Sequence, residues 1–247
     1  LTAFDSDKQL KTIDKAFSKA NEYIENAIRA TEVAKLSLNE YLEPRNKALS
    51  VGAVTLVPDL FMNAELLFVK AAGKVESGDV KSGLKEAAKA APLYDLAELE
   101  AIRKSILGKA DTLIQKAVVD EAGKYAVSTL DKARGARTKA DAIITGNRYN
   151  RVEAEVQARR SEYEANHASN IAQSVRSLNK NDQAWEKLML IYEIQMNRVG
   201  ETIGASHLPF DNGPLAAADS LIHYIQSLQK QNEYMTAKFA GILNEAG

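Results

Sequence analysis

The 247-residue chain predicts an all-α fold, an elongated helical bundle or short tetratricopeptide-like solenoid of about seven to eight helices. Two observations carry this. Apolar residues recur at spacings of three and four through most of the chain, the signature of helices with one buried face. The chain has only 5 prolines and 13 glycines, and most fall between those stretches, where they punctuate helices.

The first helix is predicted to begin near Asp5 or Ser6, either of which could accept first-turn amides, and to run to about Leu42, where Glu43-Pro44 should stop it. Its apolar stripe is Leu10, Ile13, Phe17, Ala20, Ile24, Ala27 and Ile28. A helix of some 35 residues spans about 50 Å, which is why an elongated molecule is expected. Between Pro44 and Pro58 the β-branched run from Val51 to Val57 suits a short strand or, better, since no clear second run offers a strand to pair with, an apolar connector packed on helices.

Asp59 is placed to cap a second helix over 60–76, and Ser77-Gly78-Asp79 supplies a stop and a new cap. A third helix is expected over 80–91. Pro92 suits the first turn of a fourth, which would continue to about Glu121 and carry Gly108 in its interior, as a kink or a close crossing. Gly123 should end it, Ser128 or Thr129 should cap a fifth to about Thr145, and Gly146-Asn147 should close that one. A sixth helix follows over 149–178, and the polar Asn179 to Asp182 break leads into a seventh, capped by Asp182 and running to about Gly204. The segment from His207 to Pro214 is the clearest loop, and a final helix is expected over 215–245. The layout around Gly78 echoes that around Gly146, with Tyr94 and Tyr163 in matching places, which suggests two related helical hairpins stacked as in a repeat protein. The expected organisation is one domain over 1–247, divisible into 1–57 (long helix plus connector), 58–180 (hairpin repeats) and 181–247 (terminal hairpin).

Composition limits what such a scaffold can do. Lysine plus arginine total 32 against 33 acidic residues, so no net field recruits nucleic acid or anionic membranes. A local patch of Arg148, Arg151, Arg159 and Arg160 is interleaved with Glu153, Glu155, Glu162 and Glu164 and reads as a solvated helix face. The absence of cysteine excludes disulfides, thiol nucleophiles and cysteine-ligated metal. No stretch approaches the roughly 20 apolar residues of a spanning helix. The start at Leu1 lacks a methionine, which suggests a processed chain with any lipid anchor lying upstream.

Lys124-Tyr125-Ala126, Leu130-Asp131-Lys132-Ala133, Asn147-Arg148-Tyr149, Glu153-Ala154-Glu155 and Tyr163-Glu164-Ala165-Asn166-His167 together resemble the alanine-rich helical region of bacterial envelope lipoproteins, a region that often precedes an OmpA-like peptidoglycan-binding domain. The resemblance covers about residues 60–173. It implies a periplasmic or outer-membrane-associated location in a bacterium, envelope proteins as partners, and a scaffold or spacer role. It carries over no functional residues, because the pattern is mainly one of packing. Two departures stand beside it: the tail from Pro214 reads as one helix instead of an OmpA-like module, and the lipid-bearing cysteine is missing.

The chemistry carried by the residues points the same way. Glu164 and His167 form an E-x-x-H pair, half of what a di-metal bundle uses, but His207 and His223 have no glutamate three residues before them. Asp219 and His223 sit one turn apart, the spacing of a surface hydrogen bond. No G-x-S-x-G elbow, Walker loop or G-x-G-x-x-G occurs. No catalytic, cofactor-binding or metal-ligating residue is therefore assigned, and no cofactor is expected. The residues best suited to an interaction are Trp185, readable as packing or as an exposed aromatic anchor, and His207, Phe210 and Asp211 of the clearest loop. The expected function is a non-enzymatic, envelope-associated helical scaffold. A helical small-molecule- or metal-binding protein or enzyme, and a coiled-coil-like homo-oligomer built on the first and last helices, are the alternatives.

Overall fold

The computed structural model describes residues 3–205 and 207–245. Among these residues there are nine α-helices, two of them single turns, and no strand. The all-α bundle is thus the fold, with seven long helices. The chain forms two compact units, Leu1–Ala172 and Gln173–Gly247.

In the first unit, α1 (Ala3–Ser50), the single turn α2 (Ala53–Leu56), α3 (Pro58–Glu76) and α4 (Val80–Val119) build one half, and the single turn α5 (Ala122–Tyr125), α6 (Val127–Gly146) and most of α7 (Arg151–Leu178) build the other. The 40-residue α4 is the spine, about 60 Å long. Four clusters of buried residues follow one another along it: Ala87 packs with Ala34, Leu38, Ala71 and Val75; Ala90, Tyr94, Ala97 and Ala101 pack with Ala48, Phe61 and Ala64; Ile102, Ile106 and Leu107 pack with Ala140, Ile144, Ala154 and Ala158; Ile114 and Ala117 pack with Leu130, Ala133, Ala165, Ala168 and Ala172. Alanine dominates because its small side chain lets helix backbones approach closely, so contact comes from proximity and not from bulk.

Two prolines expected to mark boundaries lie inside helices. Pro44 sits within α1 and Pro92 within α4, so α1 runs on to Ser50 and the expected third and fourth helices are one. A proline removes the donor for the carbonyl four residues back. Those carbonyls belong to Glu40 and Ala88, both exposed residues, so water can serve them. Packing of Ala48 on one side and of Ala90, Tyr94 and Ala97 on the other holds both helices through the defect.

The remaining boundaries are set by backbone turns more than by side-chain caps. Gly52 adopts φ +75°, open to glycine at little cost, and the 51–57 connector then makes one helical turn with Val51, Leu56 and Val57 packed on the core. Helix α3 starts at Pro58 behind Val57, which places Asp59 in the first turn and not at the cap. Asp79 does cap α4, accepting from the Ser82 amide at 3.1 Å. Gly123 does not end α4: the helix closes at Asp120, Glu121 takes a positive φ, and Gly123 lies inside the turn α5. Ala126 precedes α6, so Ser128 and Thr129 are in its first turn. A Cβ on Gly108 would meet nothing within 4 Å, so this glycine marks no close crossing. The matched tyrosines part company as well, with Tyr94 0% exposed and Tyr163 66% exposed.

The second unit contains the end of α7, α8 (Gln183–Ile203), a 3-10 turn at Phe210–Asn212 and α9 (Pro214–Glu245). Asp182 occupies the cap position of α8 without a side-chain bond, and Asn181 Oδ1 accepts the Gln183 amide at 3.0 Å instead. Among the described residues of this unit, the buried ones are few: Leu178, Gly200, Ala217 and Leu221.

Candidate interaction surfaces

Several buried and half-buried charges of the first unit are clamps between helices. Glu98 on α4 is only 2% exposed, and the turn before α7 satisfies it: Arg148 Nη1 donates to Oε2 at 2.8 Å and the Tyr149 hydroxyl to Oε1 at 3.0 Å. Arg148 is therefore turned onto α4, while Arg159 lies within 3.7 Å of Glu155, so the arginines of 148–160 do not form one basic face. Glu65 on α3 receives Arg45 from α1, Nε at 2.6 Å and Nη2 at 3.2 Å, and the Tyr94 hydroxyl from α4 at 2.5 Å. Burial pushes the Glu65 carboxyl up, but hydrogen bonds from Arg45 and Tyr94 outweigh it and hold the group below its ordinary value. Burial and the adjacent Glu65 carboxylate raise the Tyr94 phenol in turn. Glu86 faces Lys89, Lys74 and Lys70, the first of which does most to lower its pKa. Each of these carboxylates is held by partners from a neighbouring helix or turn.

Glu164 and His167 lie with Oε2 and Nδ1 3.9 Å apart, and no group of three or more metal-ligating side chains occurs among the described residues. The His223 ring bonds through Nδ1 to the backbone oxygen of Asp219 at 2.7 Å, which leaves the Asp219 carboxylate out of that contact.

Trp185 is 49% exposed near the start of α8. His207, with φ +63°, and Asp211 are exposed in the loop beyond the other end of that helix, and Phe210 is half-buried there. Eighteen residues of helix separate Trp185 from Ile203, about 27 Å, so the tryptophan and the loop are two places and not one site. Between the last turn of α7 and α8 lies an open groove of ≈ 800 Å³ lined by Leu178, Ala184, Leu188 and Ile191 with Asn181 and Lys187.

A long uncovered apolar surface lies on α1. Leu10, Ile13, Phe17, Ala20, Ile24 and Ala27 alternate at spacings of three and four, and the same register continues through Thr31, Ala34, Leu38, Tyr41 and Ala48. From Ala34 onward this seam is covered by the α3–α4 hairpin, Ala34 and Leu38 packing with Val75 near the hairpin's end. From Leu10 to Ala27 every seam position is exposed. Lys11, Lys15, Lys19, Glu22, Glu25 and Arg29 lie on the other faces, and Arg29 pairs with Glu25 at 3.1 Å. The stripe is visible in the sequence; its lack of a cover is not.

No helix among the described residues is long and apolar enough to cross a membrane. Comparison with protein-family models, curated proteins and solved structures gives no match to this chain.

Proposed function

We propose that this chain is a non-enzymatic helical scaffold that docks protein partners on uncovered helix faces, and that it works in the bacterial cell envelope. One observation carries the docking reading: the α1 seam, covered by the chain's own hairpin from Ala34 to Ala48, continues in the same register without a cover from Leu10 to Ala27. Leucine, isoleucine and phenylalanine on such a seam gain about 1.5–3 kcal/mol each when a partner takes them out of water. A long contiguous apolar surface of this kind marks an interaction site in a soluble chain. The occupant that fits a heptad seam is another helix, knob into hole. The envelope location rests on the alanine-rich motifs of residues 60–173, and a balanced charge with no cysteine is compatible with it.

A photo-crosslinking residue at Phe17 in the natural host tests the docking reading, with one at Glu22 on the opposite face as control. Discrete protein adducts at Phe17 and not at Glu22 are expected. Equal adducts from both faces, or none from either, would overturn it. Fractionation of the same cells tests the location, and recovery with the cytosolic proteins would remove the envelope assignment.

A further inference from the structure

We propose that α9 pairs with α9 of a second copy of this chain as a parallel, in-register two-stranded coiled coil. This deepens the docking reading and rests on it, since it names the occupant of a second uncovered face. Beyond Leu221, where α9 leaves the small core it shares with Gly200 of α8, every described side chain of the helix up to Ile242 is exposed. Along this stretch Leu221, Ile225, Leu228, Asn232, Met235, Phe239 and Ile242 follow one another at alternating spacings of four and three. That is three heptads, with Ile225, Asn232 and Phe239 at one seam position and Leu221, Leu228, Met235 and Ile242 at the other, long enough for a coiled-coil seam.

The choice of a second copy follows from Asn232. It is the one polar residue on the seam, and it falls at the position where a single asparagine fixes register and strand number in parallel pairs. Two copies in register bring the two amides face to face, each able to donate and accept. A partner helix with an apolar residue opposite would bury the amide without a bond. The flanks raise no objection to self-pairing: Tyr224, Gln229, Gln231 and Thr236 are uncharged there, and Lys238 is the lone charge, so two identical helices place no like charges across the seam.

The absence of cysteine from these 247 residues makes the register directly testable. Met235→Cys puts a thiol on the seam and keeps Asn232, while Lys230→Cys puts one on the outer face. Under mild oxidation the seam variant should give a disulfide-linked dimer at least tenfold more abundant than the outer-face variant. Sedimentation equilibrium of the unmodified chain should give twice the 27.0 kDa chain mass. Leu228→Lys with Phe239→Lys should return it to a monomer with unchanged helix content, and Asn232→Leu should broaden the dimer into higher oligomers. A monomer at all concentrations, a dimer that cross-links at Lys230→Cys and not at Met235→Cys, or an Asn232→Leu variant that remains a clean dimer would overturn the proposal. If these fail while Phe17 still captures a partner, only the α9 pairing falls; if Phe17 also captures nothing, the docking reading falls with it.

Discussion

Arg148 reaches back 50 residues to Glu98, donating from Nη1 to the carboxylate and also to the backbone oxygen of Asp95, each at 2.8 Å. The relationship ties the turn between α6 and α7 to the middle of α4. It also decides how α7 starts, because Tyr149 adds a second donor to the same carboxylate two residues before the helix begins.

Removing one member of this clamp leaves a buried carboxylate short of a partner. Arg148→Met should therefore destabilise the first unit by about 3 kcal/mol, the cost of uncoupling a buried pair. Tyr149→Phe, which leaves the guanidinium in place, should cost about 1 kcal/mol. Glu98→Gln in the Arg148→Met background should recover part of the loss, since the unpaired buried charge is gone. Urea unfolding of the three variants measures this, and equal stability of Arg148→Met and the natural chain would show that the clamp does not hold the turn.

The pattern that makes the fold legible is spacing. The alanines at 154, 158, 165, 168 and 172 fall on one face of α7, with Ser161 in the same row donating to the Ala133 carbonyl at 2.8 Å. Such rows read as helix contacts from their periodicity alone. The two prolines mislead because a sequence shows the lost hydrogen bond and not the exposure of Glu40 and Ala88, whose carbonyls lose it. The interaction residues are legible only in part. Trp185 is exposed, as an aromatic anchor must be, yet it does not join His207, Phe210 and Asp211, since separation along a helix becomes distance in space. The seam of α1 is plain as a stripe, but whether a stripe is core or surface depends on where a neighbouring hairpin ends.

Acid should weaken the junction of α1, α3 and α4. The Glu65 carboxyl has a lower pKa in the fold than its ordinary 4.5, through Arg45 and Tyr94 acting against burial. Its contribution to stability is therefore complete above the unfolded value and is lost as pH falls through the lower folded value. Tyr94 has the opposite sense: its phenol is raised by burial and by Glu65, so its contribution is intact below the ordinary 10.0 and fades as pH rises beyond it. Stability measured by urea midpoint against pH should fall below about pH 4.5 for the natural chain, and this limb should be shallower in Glu65→Gln. An identical acid limb in that variant would remove Glu65 as its cause.

A tighter test of close helix approach is Gly83 on α4. A Cβ there would overlap Val75 Cγ2 and lie 2.9 Å from the Ala71 carbonyl oxygen. The valine methyl could rotate away, but the carbonyl belongs to α3 itself, so the helices would have to separate. Gly83→Ala should cost about 1–3 kcal/mol despite alanine's better helix propensity. Gly108→Ala in the same helix, where a Cβ meets nothing, should instead stabilise by up to about 1 kcal/mol. Opposite signs from thermal unfolding of the two variants are the expected outcome, and a stabilised Gly83→Ala would mean that α3 and α4 are less closely held.

Phe17 and Leu38 occupy the same seam position of α1, three heptads apart, and give the sharpest contrast. Leu38 is 3% exposed beneath the α3–α4 hairpin, whereas Phe17 is 68% exposed. Leu38→Ala removes packed methyl groups and leaves a cavity, so a loss of about 2–5 kcal/mol is expected. Phe17→Ala removes a larger side chain that touches little in the isolated chain, so its effect should stay within about 0.5 kcal/mol. Under conditions where a partner helix occupies the seam, the order changes: Phe17→Ala should then weaken binding by about 2 kcal/mol or more, as loss of a central aromatic anchor does, while Leu38→Ala should act only through the fold. Chemical denaturation of the two variants, followed by a binding isotherm with the protein captured at Phe17, separates the two roles. A stability loss for Phe17→Ala as large as that for Leu38→Ala would mean that the N-terminal seam is already covered within the chain.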